Sequence, residues 1–287
     1  TAKLIRLLRV PVIVLRIHGN FITQPQWNKI DKGNHIEAEM EQIITAKECK
    51  KLTVAEIDAR VKEAFQYDDF KWQYENKIHI DHPKRAEGLH ALLYKCPACQ
   101  TEGEMHSKGI KLWCEHCGKE WEMDEYGRMH ALIGDTEFHH IPDWSNWERE
   151  CVRKEIEEGT YYFEDTARIE TLPGSLKFYY QGEGKVIQTP TETRIECNYH
   201  GEPYVLTRSS MDLESMHIEY DYLGRGDCID VSIPNDSFWC YLTKRDVITK
   251  ISFATEEMHL LAVRKAAEEK AAAEKAKEAL KETEKSE

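Results

Sequence analysis

Apolar positions along the chain change their spacing several times, and each change marks a predicted element. The longest apolar run covers residues 4–17, where Arg6, Arg9, Pro11 and Arg16 interrupt it, so it falls short of the roughly 20 residues that cross a bilayer. Residues 4–9 predict the end of an amphipathic helix, and residues 11–17 (P-V-I-V-L-R-I) a β-branched strand stopped by Gly19-Asn20. A continuous apolar strand preceded by a helix is the pattern of a mostly parallel sheet covered on both faces. After a loop over residues 21–34, residues 35–42 alternate. Ile36, Ala38 and Met40 fall on one face and Glu37, Glu39 and Glu41 on the other, which predicts a half-buried strand. Thr53-Val54-Ala55-Glu56 is a capping box opening a helix with Val54, Ile57, Val61 and Phe65 inward, and residues 68–77 continue as aromatic-rich helix or turn.

Further along, residues 143–158 predict a helix with Trp144, Trp147, Cys151 and Ile156 available for one face, ended by Gly159. Short strands follow over residues 161–164, 176–180, 185–188, 194–199, 204–208, 216–222, 228–232, 238–242 and 247–252. Gly182-Glu183-Gly184 and Gly201-Glu202-Pro203 separate some of them. Eight or nine strands and a helix from Thr255 suggest an antiparallel barrel or sandwich with a C-terminal helix, a plan similar to pleckstrin-homology domains. The expected fold class is therefore α+β and multidomain. Residues 1–92 are the C-terminal part of an α/β domain, 93–133 a ribbon around cysteines, 134–159 a linking helix, 160–262 a β-rich domain, and 263–287 a charged, solvated helical tail.

Charge sharpens this layout. The chain has 39 Lys and Arg against 52 Asp and Glu, a net of −13. Residues 1–30 hold five bases and no acid, the last 26 residues balance seven against seven, and residues 31–261 carry −18. A surface that acidic repels phosphate backbones and argues against general nucleic-acid binding. The basic start suits an anionic substrate or a lipid headgroup.

Nine cysteines are present, and four of them, Cys96, Cys99, Cys114 and Cys117, form two Cys-x-x-Cys knuckles separated by fourteen residues. A two-residue gap lets both thiolates of a knuckle face one metal, and a second knuckle completes a tetrahedron, the layout of a four-cysteine zinc ribbon. Residues 119–132 supply the hairpin of such a ribbon, turning at residues 124–127. A redox dithiol fits less well, because it normally stands alone at a helix start. Iron in a rubredoxin-like site also uses two knuckles, and His106 and His116 are alternative ligands nearby. Four thiolates leave no open position, so one structural zinc per chain is expected. Residues 96–130 carry four bases and seven acids, which again disfavours nucleic acid. Cys197, Cys228 and Cys240 fall in predicted strands as small buried apolar residues.

His130-Ala131-Leu132-Ile133-Gly134-Asp135 has the H-x-x-x-x-D spacing of the glycerolipid acyltransferase charge relay. It sits at the exit of the ribbon, lacks a Gly-rich acceptor motif after it, and reads as a coincidence. The stretch Leu8-Arg9-Val10-Pro11-Val12-Ile13-Val14-Leu15, by contrast, resembles the fourth conserved block of bacterial 1-acyl-sn-glycerol-3-phosphate acyltransferases, with Pro11 matching the first proline and Val14 replacing the second. Residues 17–21 and 25–28, Trp144-Ser145-Asn146-Trp147-Glu148-Arg149 and His217-Ile218-Glu219-Tyr220-Asp221-Tyr222 are similar to a clostridial-type branch of that family, in which a zinc ribbon and a β-rich region follow the catalytic domain.

The resemblance implies acyl transfer from acyl carrier protein or coenzyme A to lysophosphatidate, at the inner face of the cell membrane, by a cytoplasmic peripheral protein. It also implies that the catalytic His and Asp lie before Thr1, that none is present here, and that the chain alone is inactive. Pro11 would shape the strand of the fourth block, and Arg16 and His18 would approach the substrate phosphate. A second reading, from a different class, is a non-enzymatic zinc-ribbon module that serves as a scaffold or contacts another protein.

Overall fold

The computed structural model describes the backbone of residues 1–284 and the side chains of residues 1–276. The chain divides into two units. One comprises Thr1–Gly88, His106–Trp113 and Gly118–Asp143, and the other Leu89–Met105, Cys114–Cys117 and the chain from Trp144 onward.

The first unit begins with α1 (Ala2–Leu8), β1 (Val12–His18), α2 (Asn20–Thr23), β2 (Glu37–Ile44), α3 (Ala46–Cys49), α4 (Val54–Ala64) and α5 (Asp69–Glu75). Both α3 and α4 open on a complete capping box, Thr45 with Glu48 and Thr53 with Glu56, each satisfying backbone N–H groups the helix cannot reach itself. Ala2, Ile44, Cys49 and Ile57 form their common core, joined by Ile5, Val12 and Val61, whereas Phe65 is exposed. At the end of β1 the buried Asp69 carboxylate accepts from the Gly19 N–H (2.7 Å), the Ile22 N–H (3.2 Å) and the Tyr67 hydroxyl. Gly19 sits at φ +80°, and a Cβ there would come 2.5 Å from the His35 carbonyl, so this turn requires glycine.

Two expectations for this region need correction. The strand over residues 11–17 does not enter a parallel sheet. β1 pairs antiparallel with β2 in a two-stranded ribbon, Leu15 opposite Met40 and Arg16 opposite Glu39. The alternation in β2 is real, but it is not half-buried with its apolar side inward. Val14, Arg16 and His18 lie on the face that meets Ala64, Tyr67 and Trp72, while Ile13, Leu15, Ile17 and Met40 point outward, 45% to 72% exposed. Period-2 spacing identifies two faces without saying which one the fold covers.

α6 (Leu89–Leu92) leads into the ribbon, a four-stranded sheet in the order β3 (Met105–Lys108), β4 (Lys111–Cys114), β5 (Glu120–Met123), β6 (Met129–Ala131). β5 and β6 form the predicted hairpin. The Asp124 carboxylate accepts from the Tyr126 and Arg128 N–H groups, and Gly127 takes φ +76°.

The second unit takes up α7 (Ile141–Glu157) at Trp144, and the helix buries the row Trp144, Glu148, Val152 and Ile156, four residues apart, and leaves Trp147 and Cys151 half-buried. β7 (Phe163–Thr171), β8 (Tyr179–Thr189), β9 (Glu192–Tyr199), β10 (Glu202–Ser209), β11 (His217–Glu219), β12 (Cys228–Ile233) and β13 (Asp236–Leu242) form one antiparallel sheet, order β10-β9-β8-β7-β13-β12-β11. It curls as a half-barrel, open where a barrel or sandwich was expected to close. Seven strands replace the nine expected segments because Gly182 and Gly184 lie inside β8, which joins two of them, and because residues 247–252 are mostly helical. A bulge opposite Ile169 and Glu170 bends the strand there, and a Cβ on Gly184 would meet the Glu196 carbonyl at 2.6 Å.

The predicted strand over residues 247–252 is helical, the start of α8 (Ile248–Glu284). Ile248, Ile251, Thr255 and Met258 are buried at helical spacing, and packing overrides the β-branched preference. Ala254 and Met258 meet Val152, Ile156 and Tyr161 of the α7 side. Side chains 263–276 are all exposed. Residues 285–287 of the expected charged tail lie outside the described residues.

Candidate metal centre

The two knuckles converge because each is a tight turn fastened at its base. In the first, the Cys96 N–H donates to the Thr101 carbonyl and the Gln100 N–H to the Cys96 carbonyl, both 2.9 Å, and Lys95 bridges Glu102. In the second, Cys114 ends β4, the Glu115 N–H donates to the Glu104 carbonyl (2.9 Å), and Gly118 takes φ +73° just after Cys117. All four sulfurs lie within 4.8 Å of one another, with Cys96 to Cys117 and Cys99 to Cys114 at 3.7 Å. A tetrahedron of metal–sulfur bonds of about 2.3 Å places sulfurs about 3.8 Å apart, so the set fits one ion. Among the described residues no other group of three His, Cys, Asp or Glu side chains comes together in this way.

Cys96 and Cys114 are fully buried, and burial raises both thiols. Burial also raises Cys99, but the Thr101 hydroxyl and N–H and the His116 side chain outweigh it and hold that thiol at about 6. Four thiolates around one ion would leave no position open for substrate.

Sequence reasoning missed the residues that hold the first knuckle in place. Glu148, fully buried on α7, accepts the Lys95 N–H at 2.8 Å, and the Trp144 indole N–H donates to the Lys95 carbonyl at 3.0 Å. The Lys95 ammonium pairs with Glu102, which also pairs with Lys250, and Lys250 reaches Glu155. The available signal was Glu148 itself, a carboxylate in the apolar i, i+4 row of Trp144, Val152 and Ile156. The second Glu148 oxygen and the Tyr94 hydroxyl are buried with no hydrogen-bond partner, and burial drives both groups well above their ordinary pKa.

Arg16 and His18 fall on one face of β1 and share Glu39. The Arg16 guanidinium pairs with Glu39 at 3.2 Å and Glu41 at 2.7 Å and donates to the Ala64 carbonyl. The His18 ring lies 3.5 Å from Glu39, stacks on Trp72 and meets Tyr67 edge-on. Pro11 stands immediately before β1, apart from them in the ladder. His130, of the H-x-x-x-x-D string, bonds to Asp124 at 2.8 Å rather than to Asp135. Cys228 and Cys240 are fully buried in the sheet, Cys197 partly, and burial raises all three thiols, Cys197 to about 11 and Cys228 to about 12. No helix among the described residues is long and apolar enough to cross a membrane.

The fold and site define an α+β protein in which a four-thiolate ribbon capable of holding one metal ion precedes a curled antiparallel sheet. Compared with known proteins, the chain matches no family model and no curated protein.

Proposed function

We propose that this chain is the C-terminal part of a bacterial glycerolipid acyltransferase, transferring an acyl group from a thioester donor to lysophosphatidate, with the four-cysteine site filled by one structural zinc. The observation that carries this reading is the outward apolar face of the first unit. Ile13, Leu15, Ile17 and Met40 of the ribbon, and Leu4, Leu7 and Leu8 of α1, are large apolar side chains left 45% to 75% exposed, and so many on one unit suit a further contact. Such a face suits a strand pair that belongs to a larger α/β domain, the position that the Pro11 block occupies in the resemblance. The acid-free basic start, with Arg9 and Lys3 exposed, suits an enzyme that works on phosphorylated lipid.

Zinc is the metal best matched to four thiolates with no open position. In the proposed enzyme a His before Thr1 takes the acceptor hydroxyl proton while an Asp fixes its tautomer, and this chain's residues position rather than react. The test is the sequence encoded upstream of Thr1. It should contain H-x-x-x-x-D and, roughly 60–80 residues later, an acceptor-binding Glu-Gly motif. An upstream sequence without that pair would replace the enzyme reading with the zinc-ribbon scaffold.

A further inference from the structure

The β-rich sheet carries an apolar surface of its own, where two loops meet. The loop before β8 reads Leu172-Pro173-Gly174-Ser175-Leu176-Lys177-Phe178, and the loop before β12 reads Tyr222-Leu223-Gly224-Arg225. Phe178, Tyr222 and Trp239 lock them together, with ring centroids 6.2, 5.4 and 4.7 Å apart for the pairs Phe178–Tyr222, Phe178–Trp239 and Tyr222–Trp239. From this aromatic base Leu176 and Leu223 project as the two tips, 89% and 66% exposed, and Tyr179 and Tyr180 are exposed beside them. Leu223 sits at φ +54°, a conformation that a leucine adopts only where its surroundings impose it.

We propose that the paired tips dock the β-rich domain on a phospholipid bilayer, the leucines entering the boundary between headgroups and acyl chains. The charge pattern selects this occupant. Residues 160–262 hold nine bases against seventeen acids, yet residues 171–182 contain no acid and carry Lys177. In the second loop the exposed Asp221 accepts from the Gly226 N–H, and Arg225 lies over the Phe178 ring while pairing with the buried Glu170 at 2.7 Å. Apolar tips beside exposed tyrosines, on an acid-free segment that carries Lys177, match the amphipathic profile of a bilayer interface. A membrane contact by the accessory domain deepens the acyltransferase reading and rests on it, since the lipid acceptor of that reaction lies in the same interface.

Flotation of the full chain with vesicles of phosphatidylcholine and phosphatidylglycerol, three to one, tests the docking. Leu176→Ser with Leu223→Asn removes the tips without straining the fold, because asparagine adopts positive φ readily. The double variant should partition at least tenfold more weakly than the parent. Leu4→Ser with Leu7→Ser, on α1 of the first unit, should leave a tip-dependent share of binding that the loop variant abolishes. A parent chain that does not float, or a loop variant that floats like its parent, overturns the proposal. So does a loop variant whose only change is a smaller oligomer in vesicle-free solution, which would assign the tips to a second copy. The assay reads no acyl transfer, so it can fail while the acyltransferase reading stands.

Discussion

Glu148 shows how one side chain carries a cost that the fold accepts for position. Burial favours its protonated form, the Lys95 N–H opposes that, and Glu102 adds a repulsive charge. The native state therefore binds the proton more tightly than the unfolded chain does, and stability declines as pH rises above about 4.5. Glu148→Gln keeps an acceptor for Lys95 and discards the charge. In thermal melts from pH 4 to 8 it should flatten that part of the slope and gain about 1–2 kcal/mol at neutral pH. Glu148→Ala orphans the Lys95 N–H and should lose about 1–3 kcal/mol instead. Each cysteine ligand is a sharper case. Cys99→Ser should lower both zinc content, read by elemental analysis, and melting temperature, whereas Cys197→Ser should leave the metal in place. The four converging cysteines were legible from spacing alone because a knuckle is a local code. Glu148 was not, because its partner is 53 residues away.

At the scale of elements, local signals and tertiary choices separate cleanly. The box at Thr53 is written in four consecutive residues, and Thr53→Ala should cost about 1 kcal/mol in chemical denaturation. In the matching box at Thr45, the backbone N–H and hydroxyl of Thr45, with Arg60, hold Glu48 at about 2. A depressed carboxylate stabilises the native state above its unfolded value and stops doing so as it protonates. α3 should therefore loosen as pH falls from about 4.5 towards about 2, seen as smaller protection factors, relative to the intrinsic exchange rate at each pH, for the amides of Thr45 and Glu48. Elements whose identity depends on distant partners were misread. Residues 247–252 have a strand's composition and become helix because Ile248 and Ile251 are buried at helical spacing. Gly182 and Gly184 look like a turn and serve a bent strand, since the approach of Glu196 that excludes a side chain is invisible in sequence. The ribbon of β1 and β2 displays the correct alternation with the apolar side outward, a choice that no periodicity encodes.

For the molecule as a whole, the metal ligands belong to the same unit as the half-barrel and α8. Removing the ion leaves four thiols, two of them fully buried, with nothing to coordinate. Chelation should therefore lower the unfolding midpoint of the full chain, and zinc should restore it; an unchanged midpoint would remove the structural role. The cysteine cluster, the α7 helix, an antiparallel β-rich region and a C-terminal helix could be read from pattern. The curl of the sheet and the open face of the first unit could not, because both depend on what each surface meets. The proposed enzyme is tested most directly by acyl transfer to lysophosphatidate, measured for this chain alone and for the protein extended through its upstream coding sequence. Turnover by the extended protein only, abolished when the upstream His is replaced by Ala, is the predicted result. Turnover by residues 1–287 alone, or none by the extended protein, would contradict it.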